Sequence, residues 1–253
     1  LNVKARDSAE NSAEKTIVFT IDKTKPSIAL LSPRDWEYYG SEKNSIDVSG
    51  SIIEMNLQNY ILRFGAGENP SQWSELKSGT AFPLDATLFT WRVGKEDGIA
   101  DGSYVLSLIA RDKAGSETEA RVKIIVDNTE PEAFIAFPKE GSYIKGPVNI
   151  TGTAADQNLD KYSIDISEGQ CGVAFKWAPL KIARASVRNG TLMTWEALPP
   201  DQEYCIRLTA TDKIGNSSAT STNIQVDTHP PAAPLLSGEM QNKPSVGLTW
   251  TLN

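Results

Sequence analysis

Tyr104-Val105-Leu106-Ser107-Leu108-Ile109-Ala110-Arg111-Asp112, the turn Lys113-Ala114-Gly115, and then Ile124-Ile125-Val126-Asp127 with Pro131 form the stretch on which the reading of this chain depends. Its second part is written three times. Ala5-Arg6-Asp7 with Ile17-Val18-Phe19-Thr20-Ile21-Asp22 and Pro26 precedes it, and Ala210-Thr211-Asp212 with Ile224-Gln225-Val226-Asp227 and Pro231 follows it. From the first aspartate to the second is 15 residues in every copy, and the copies lie 105 and 100 residues apart. A period of that length belongs to a domain rather than to a solenoid turn, so the chain is a tandem array of similar modules.

More of the module repeats. Leu57, Tyr60, Trp73, Trp91 and Tyr104 return as Leu159, Tyr162, Trp177, Trp195 and Tyr204 at offsets between 100 and 104. Small drifts in offset place insertions in loops while the pattern-bearing residues stay in register. Along Tyr104 to Arg111 and Tyr204 to Thr211 the residues alternate with a period of two. Tyr104, Leu106, Leu108 and Ala110 face a core, and Cys205, Arg207, Thr209 and Thr211 face outward. Asp112 to Gly115 and Asp212 to Asn216 carry the Asp, Gly and Asn that hairpin turns need. Further strands are expected at residues 27–31, 45–50, 59–64, 89–93, 134–137, 148–153, 161–167 and 191–196. Neither copy shows sustained helical periodicity.

Around seven short strands per hundred residues, a Trp in each module and a Tyr opening the penultimate strand resemble an immunoglobulin-like or fibronectin type III-like sandwich with a tyrosine corner. The run Tyr-x-Leu-x-x-x-Ala-x-Asp-x-x-Gly with Val-Asp-x-x-x-Pro is similar to the tandem Ig-like modules of large bacterial surface and secreted proteins. The expected fold class is therefore all-β, tandem immunoglobulin-like (fibronectin type III-like) antiparallel β-sandwiches. Tyr104, Tyr204, Trp91 and Trp195 are its fold-defining residues. The expected division is residues 1–25 as the last two strands of a preceding module, 26–130 and 131–230 as complete modules, and 231–253 as the start of a fibronectin type III-like module. Partial modules at both ends suggest a window from a longer chain.

Composition sets limits on function. The chain has 253 residues, 40% of them hydrophobic, and a net charge of −7 without a Lys/Arg-dense stripe, which argues against nucleic acid. No stretch is long and apolar enough to span a membrane. The only histidine, His229, lies between Thr228 and Pro230 in a linker, so neither a Ser-His-Asp nor a Cys-His arrangement nor an ordinary zinc site can be built. The chain reads as non-catalytic.

Cys171 and Cys205 fall in one module, and a disulfide between them is expected in an exported protein; the alternative is two partly buried thiols. Oxygen donors of Asp127, Asn128, Glu130, Asp156, Asn158, Asp160 and Asp212 are candidates for a calcium site at the entry of the second module, with Asp22, Glu54, Asn56 and Asp112 as the thinner set of the first. The simpler reading, preferred because no acidic-rich calcium loop is present, has each Asp capping its own turn. Asn149-Ile-Thr151, Asn189-Gly-Thr191 and Asn216-Ser-Ser218 match the N-glycosylation pattern and read as chance in a chain of bacterial resemblance. The aromatic cluster Trp36-Glu37-Tyr38-Tyr39 is expected to cover a sandwich end or module interface.

These features point to a stalk, spacer or adhesive array of a secreted or cell-surface protein. Its partners are neighbouring modules of the same chain, with a surface protein or a polysaccharide as external partner. The alternatives are an accessory region of a secreted polysaccharide-degrading enzyme and a subunit segment of an extracellular filament.

Overall fold

The computed structural model describes residues 1–82, 87–173, 176–233, 235–239 and 247–251. The chain divides into two compact units, Leu1–Thr129 with Lys213–Asn216, and Glu130–Asp212 with Ser217–Asn253. Nearly all of the regular structure is β, and the sequence's period of two is what dictates it.

A two-stranded hairpin, β1 (Asn2–Arg6) and β2 (Ser12–Thr16), opens the chain, and the exposed turn between them is organised by Asp7. Ile17 to Ile21, expected to continue β2, is not strand: Ile17 still exchanges hydrogen bonds with Leu1 at 2.8 Å each way, but there the partner strand ends, and β-branched composition alone does not make a strand.

The first sandwich pairs a three-stranded sheet with a five-stranded one. Strands β3 (Ser27–Ser32), β5 (Ser45–Ile53) and β8 (Thr87–Arg92) form the first, in that order of neighbours. Strands β4 (Glu37–Gly40), β10 (Glu117–Asp127), β9 (Gly102–Asp112), β6 (Leu57–Ala66) and β7 (Ser74–Gly79) form the second. All pairs are antiparallel except β4 with β10, which run parallel with Ile124 opposite Glu37 and Asp127 opposite Gly40. The core between the sheets holds Ile46, Val48, Tyr60, Leu62, Trp91, Leu106, Leu108 and Ile124, the residues that alternation assigns inward.

The second unit repeats this plan. Its sheets are β11 (Glu132–Phe137), β13 (Val148–Ala155) and β16 (Val187–Trp195), and β12 (Ser142–Ile144), β18 (Ser217–Val226), β17 (Glu203–Asp212), β14 (Leu159–Glu168) and β15 (Ala178–Ala183). Among the described residues the only parallel pair is again the short strand with the last one, β12 with β18. Ile150, Tyr162, Ile164, Leu192, Trp195, Ile206 and Leu208 fill its core. Beyond it, β19 (Leu235–Glu239) and β20 (Gly247–Thr251) make an antiparallel hairpin in the segment read as a fibronectin-like start; Pro234 and Val246 of that reading lie outside the described residues.

Two details tie sequence to packing. Val48-Ser49-Gly50-Ser51 and Ile150-Thr151-Gly152-Thr153 are equivalent, and both glycines face a neighbouring carbonyl. A Cβ would meet the Ala29 oxygen at 2.5 Å in the first case and the Phe134 oxygen at 2.0 Å in the second. Only glycine lets the strands approach so closely beside the bulges in β3 and β11. The short strands β4 and β12 begin after residues of positive φ, Trp36 at 61° and Gly141 at 72°. Their amides donate to the Lys123 and Asn223 carbonyls, and the side chains of Asp35 and Glu140 accept the Lys123 and Asn223 amides at 2.8 Å each. The aromatic cluster is therefore no loop: Tyr39 is buried in the core, and Trp36 stays on the surface beneath the Lys123 ammonium, 4.9 Å from its ring.

Candidate functional site

The acidic residues marking the repeat have three local duties. At the hairpin between the last two strands, Asp7 Oδ1 accepts the amides of Ala9 and Asn11 at 2.9 Å each, and Asp112 Oδ1 accepts that of Ser116 at 2.8 Å. At the second aspartate of each copy, the amide two residues on donates to Asp22, Asp127 and Asp227, from Thr24 at 3.0 Å, Thr129 at 3.1 Å and His229 at 3.3 Å. Both arrangements are side-chain turns in which a carboxylate supplies an acceptor that the backbone lacks.

The third duty belongs to Asp101 and Asp201. Asp101 Oδ1 accepts the Asn128 amide at 2.7 Å, and its other oxygen accepts the Thr129 hydroxyl. Asp201 Oδ1 accepts the Thr228 amide at 3.1 Å and hydroxyl at 2.7 Å, and Oδ2 meets His229 Nδ1. Each sandwich thus clamps the segment that leaves it. The hydrogen bond from the His229 ring, followed by that from Thr228, holds the Asp201 carboxyl below the usual carboxylate range, and Asp201 in turn raises the His229 pKa. These two aspartates were missing from the sequence reading. Both stand three residues before the repeated tyrosine and at the same offset of 100, so the repeat contained the signal.

The tyrosine corners lie beside the clamps. Tyr104 Oη donates to the Ala100 carbonyl at 2.8 Å and Tyr204 Oη to that of Pro200 at 3.0 Å. Burial, with the nearby Asp101 charge, pushes the Tyr104 pKa up and keeps its hydroxyl a donor. Trp91 and Trp195 are both buried at the equivalent place in the opposite sheet.

The seven calcium candidates are distributed as follows. Asp127 and Asn128 belong to the first unit and the others to the second. Asn128 is held by Asp101 and donates through Nδ2 to the Val93 carbonyl at 3.0 Å. Glu130 accepts the Ser218 hydroxyl at 3.2 Å, Asp156 accepts the Asn158 amide at 2.6 Å, Asp160 pairs with Arg184, and Asp212 is buried. In the first set, Asn56 bridges Asp22 and Glu54, its side chain and its amide each donating at 2.8 Å. Among the described residues no cluster of three or more His, Cys, Asp or Glu is arranged to hold a metal ion.

Cys171 and Cys205 form a disulfide, with Cα atoms 4.8 Å apart. Cys205 was expected on an outward face, yet it is fully buried. The reason is the 3-10 turn Cys171–Val173, which lies against β17 and β18 and covers it. Period-two alternation assigns a face but does not see a loop folded over it. The loop is held further by the Gly169 amide donating to the Glu203 carbonyl at 2.9 Å and the Cys171 amide to Asn223 Oδ1 at 2.8 Å. On the outer faces, Arg63 and Arg121 stack on Trp73 at 4.2 and 5.3 Å, and Arg207 on Trp177 at 3.9 Å.

The chain is thus an all-β array of tandem Ig-like, fibronectin type III-like modules, in which the repeated polar residues serve turns and exits. No family model matches it. It is 24% identical over 221 residues to Bacillopeptidase F of Bacillus subtilis (strain 168), a match covering 82% of this chain and 12% of that protein. A tetra-tandem repeat from the extending region of a large adhesion protein is similar at 13% identity, with 95% of this chain and 59% of that one covered and a TM-score of 0.40. Sidekick-1 immunoglobulin domains 1–4 are similar at 12% identity, 89% and 57% coverage and a TM-score of 0.41. For a two-domain fibronectin type III segment of chicken tenascin the values are 14%, 80%, 99% and 0.35. No helix among the described residues is long and apolar enough to cross a membrane.

Proposed function

We propose that this chain is a non-catalytic spacer segment of an extracellular or cell-surface protein, whose modules hold other parts of that protein at a set distance. The observation that carries the reading is the repeated exit clamp: Asp101 fixes Asn128 and Thr129, and Asp201 fixes Thr228 and His229, so each linker leaves its sandwich in one direction. Pro131, Pro230 and Pro231 follow within a few residues and restrict φ there. A disulfide supports an oxidising compartment. A carboxylate clamp of this kind orders a linker without needing any substrate.

Small-angle scattering of the intact chain tests it. With Asp101→Ala, the distribution of maximum dimensions should broaden while both sandwiches keep their melting temperatures. A wild-type chain already as broad as a freely jointed pair would refute the spacer reading. A second reading, an accessory region of a larger secreted enzyme, is favoured by the match to part of a protein named as a peptidase. Reading the sequence on either side of this segment separates the two.

A further inference from the structure

The second sandwich carries a feature that a spacer does not need. At the end of β14, between the β14–β15 connection and the Pro199-Pro200 loop, lies a cavity of about 670 Å³. Its volume falls within the range of small-ligand sites. Ile166, Trp177, Pro199, Pro200 and Tyr204 give it apolar and aromatic walls, and Glu168 and Lys176 stand at it as polar groups. The Tyr204 hydroxyl is already engaged by the Pro200 carbonyl and Gln202, so its ring presents only apolar surface.

The first sandwich provides a control within the same chain. Phe64 stands where Ile166 does, each opposite the equivalent residue of the penultimate strand, Leu106 or Ile206. The Phe64 ring packs 4.4 Å from that of Trp91 and 6.2 Å from that of Tyr104. Beside it, Pro70 lies so close to Gly65 that a Cβ there would meet the proline at 2.4 Å, whereas the second sandwich has Ser167 at that place. Aligned at the repeat offset, Glu168 and Lys176 replace Ala66 and Gln72. At this spot the second module therefore has the smaller Ile166 in place of Phe64 and gains two charged side chains. Neither Glu168 nor Lys176 forms a salt bridge among the described residues.

We propose that this cavity binds a neutral sugar ring of a polysaccharide. A pyranose has an apolar C–H face to lie on an aromatic ring and hydroxyls that both donate and accept. Glu168 needs a donor and Lys176 an acceptor, and their opposite charges disfavour a ligand of either sign. A proline-rich peptide would meet the aromatic wall but lacks the N–H groups to satisfy Glu168. The segment next to Glu168 is pre-set, because the disulfide from Cys171 to Cys205 pins the turn Cys171–Val173. A preformed wall lowers the ordering cost of binding.

The test is calorimetric titration of the intact chain with cellohexaose, xylohexaose, mannohexaose, maltohexaose and chitohexaose, with decaproline and an oligogalacturonate as peptide and anionic controls. At least one neutral hexasaccharide should bind saturably in the submillimolar range. Trp177→Ala should weaken that binding at least tenfold, and so should Ile166→Phe, which installs the ring found in the first module, with the melting temperature of each variant recorded. Trp73→Ala should leave it unchanged. Binding of none of the five sugars, binding of decaproline or oligogalacturonate instead, or sugar binding that survives both cavity variants would overturn the proposal. Because binding is read on this chain alone, the outcome does not depend on the spacer reading.

Discussion

Removing the disulfide gives the sharpest test of how the second sandwich is stabilised. The change is Cys171→Ala with Cys205→Ala, which leaves no free thiol. The bond closes a loop of sequence separation 34. In the chain-entropy account, constraining a loop of that length in the unfolded ensemble stabilises the fold by about 4 kcal/mol at 25 °C. Cys205 is fully buried, so losing its sulfur adds on the order of 1 kcal/mol. For a domain of about 100 residues such a loss lowers the melting temperature by roughly 20–40 °C. Scanning calorimetry combined with residue-resolved hydrogen exchange should show the transition of the second sandwich falling by that margin from its value in the disulfide-bonded chain. The first sandwich has no disulfide and supplies the internal reference; its transition should not move. A shift below about 1 kcal/mol in the second transition would refute the reasoning, because it would mean that the unfolded chain already keeps these two positions close.

Four further outcomes are expected. Gly152→Ala should destabilise the second sandwich by about 2–4 kcal/mol, since the added Cβ cannot stand 2.0 Å from the Phe134 oxygen, and Gly50→Ala should do the same to the first; urea denaturation measures both. Tyr104→Phe should cost about 1 kcal/mol through the lost bond to the Ala100 carbonyl, again read by urea titration. Protection of the Thr228 amide should depend on pH. Asp201 has a lowered pKa, so its share is present above about pH 4 and lost as acid protonates it; His229 has a raised one, so its share is complete below about pH 6.5 and fades as pH climbs through the raised value. Protection relative to the intrinsic exchange rate should therefore be highest between those limits, and a His229 titration midpoint at or below about 6.5 in NMR would contradict the clamp. A chelator should leave both melting transitions in place, and a fall in either would establish that the acidic loops hold a cation after all.

Much of this could be read before any coordinates, and the exceptions share a cause. Strands β5, β6, β9 and their equivalents bury alternate residues, so their period is visible. Strands β7 and β15 escaped because they are edges: β7 has one apolar residue, the half-buried Leu76, and β15 is short, contains Pro179 and leaves Ile182 exposed. Strands β4 and β12 are only four and three residues long and begin at a positive φ, which hides them among turns. Asp101 and Asp201 went unnoticed because a charged residue ahead of a strand has the composition of any turn. What sets them apart is which donors lie within reach, and sequence spacing does not reveal that. The cavity at Ile166 is still less visible, since it turns on one apolar exchange, isoleucine where the first module has Phe64, that leaves the strand pattern unchanged.

The parallel pairing of β4 with β10, and of β12 with β18, decides how each module meets a pull along the chain. The short strand follows the chain's entry into the sandwich and its partner precedes the exit. Because the two point the same way, drawing the ends apart slides one along the other, and every rung of the ladder is loaded at once instead of opening in turn. Four register pairs share that load in the first sandwich and three in the second. In a single-molecule stretching experiment the second module should give way at the lower force, and Tyr143→Pro, which removes an amide from its ladder, should lower that force again while the first module's is unchanged.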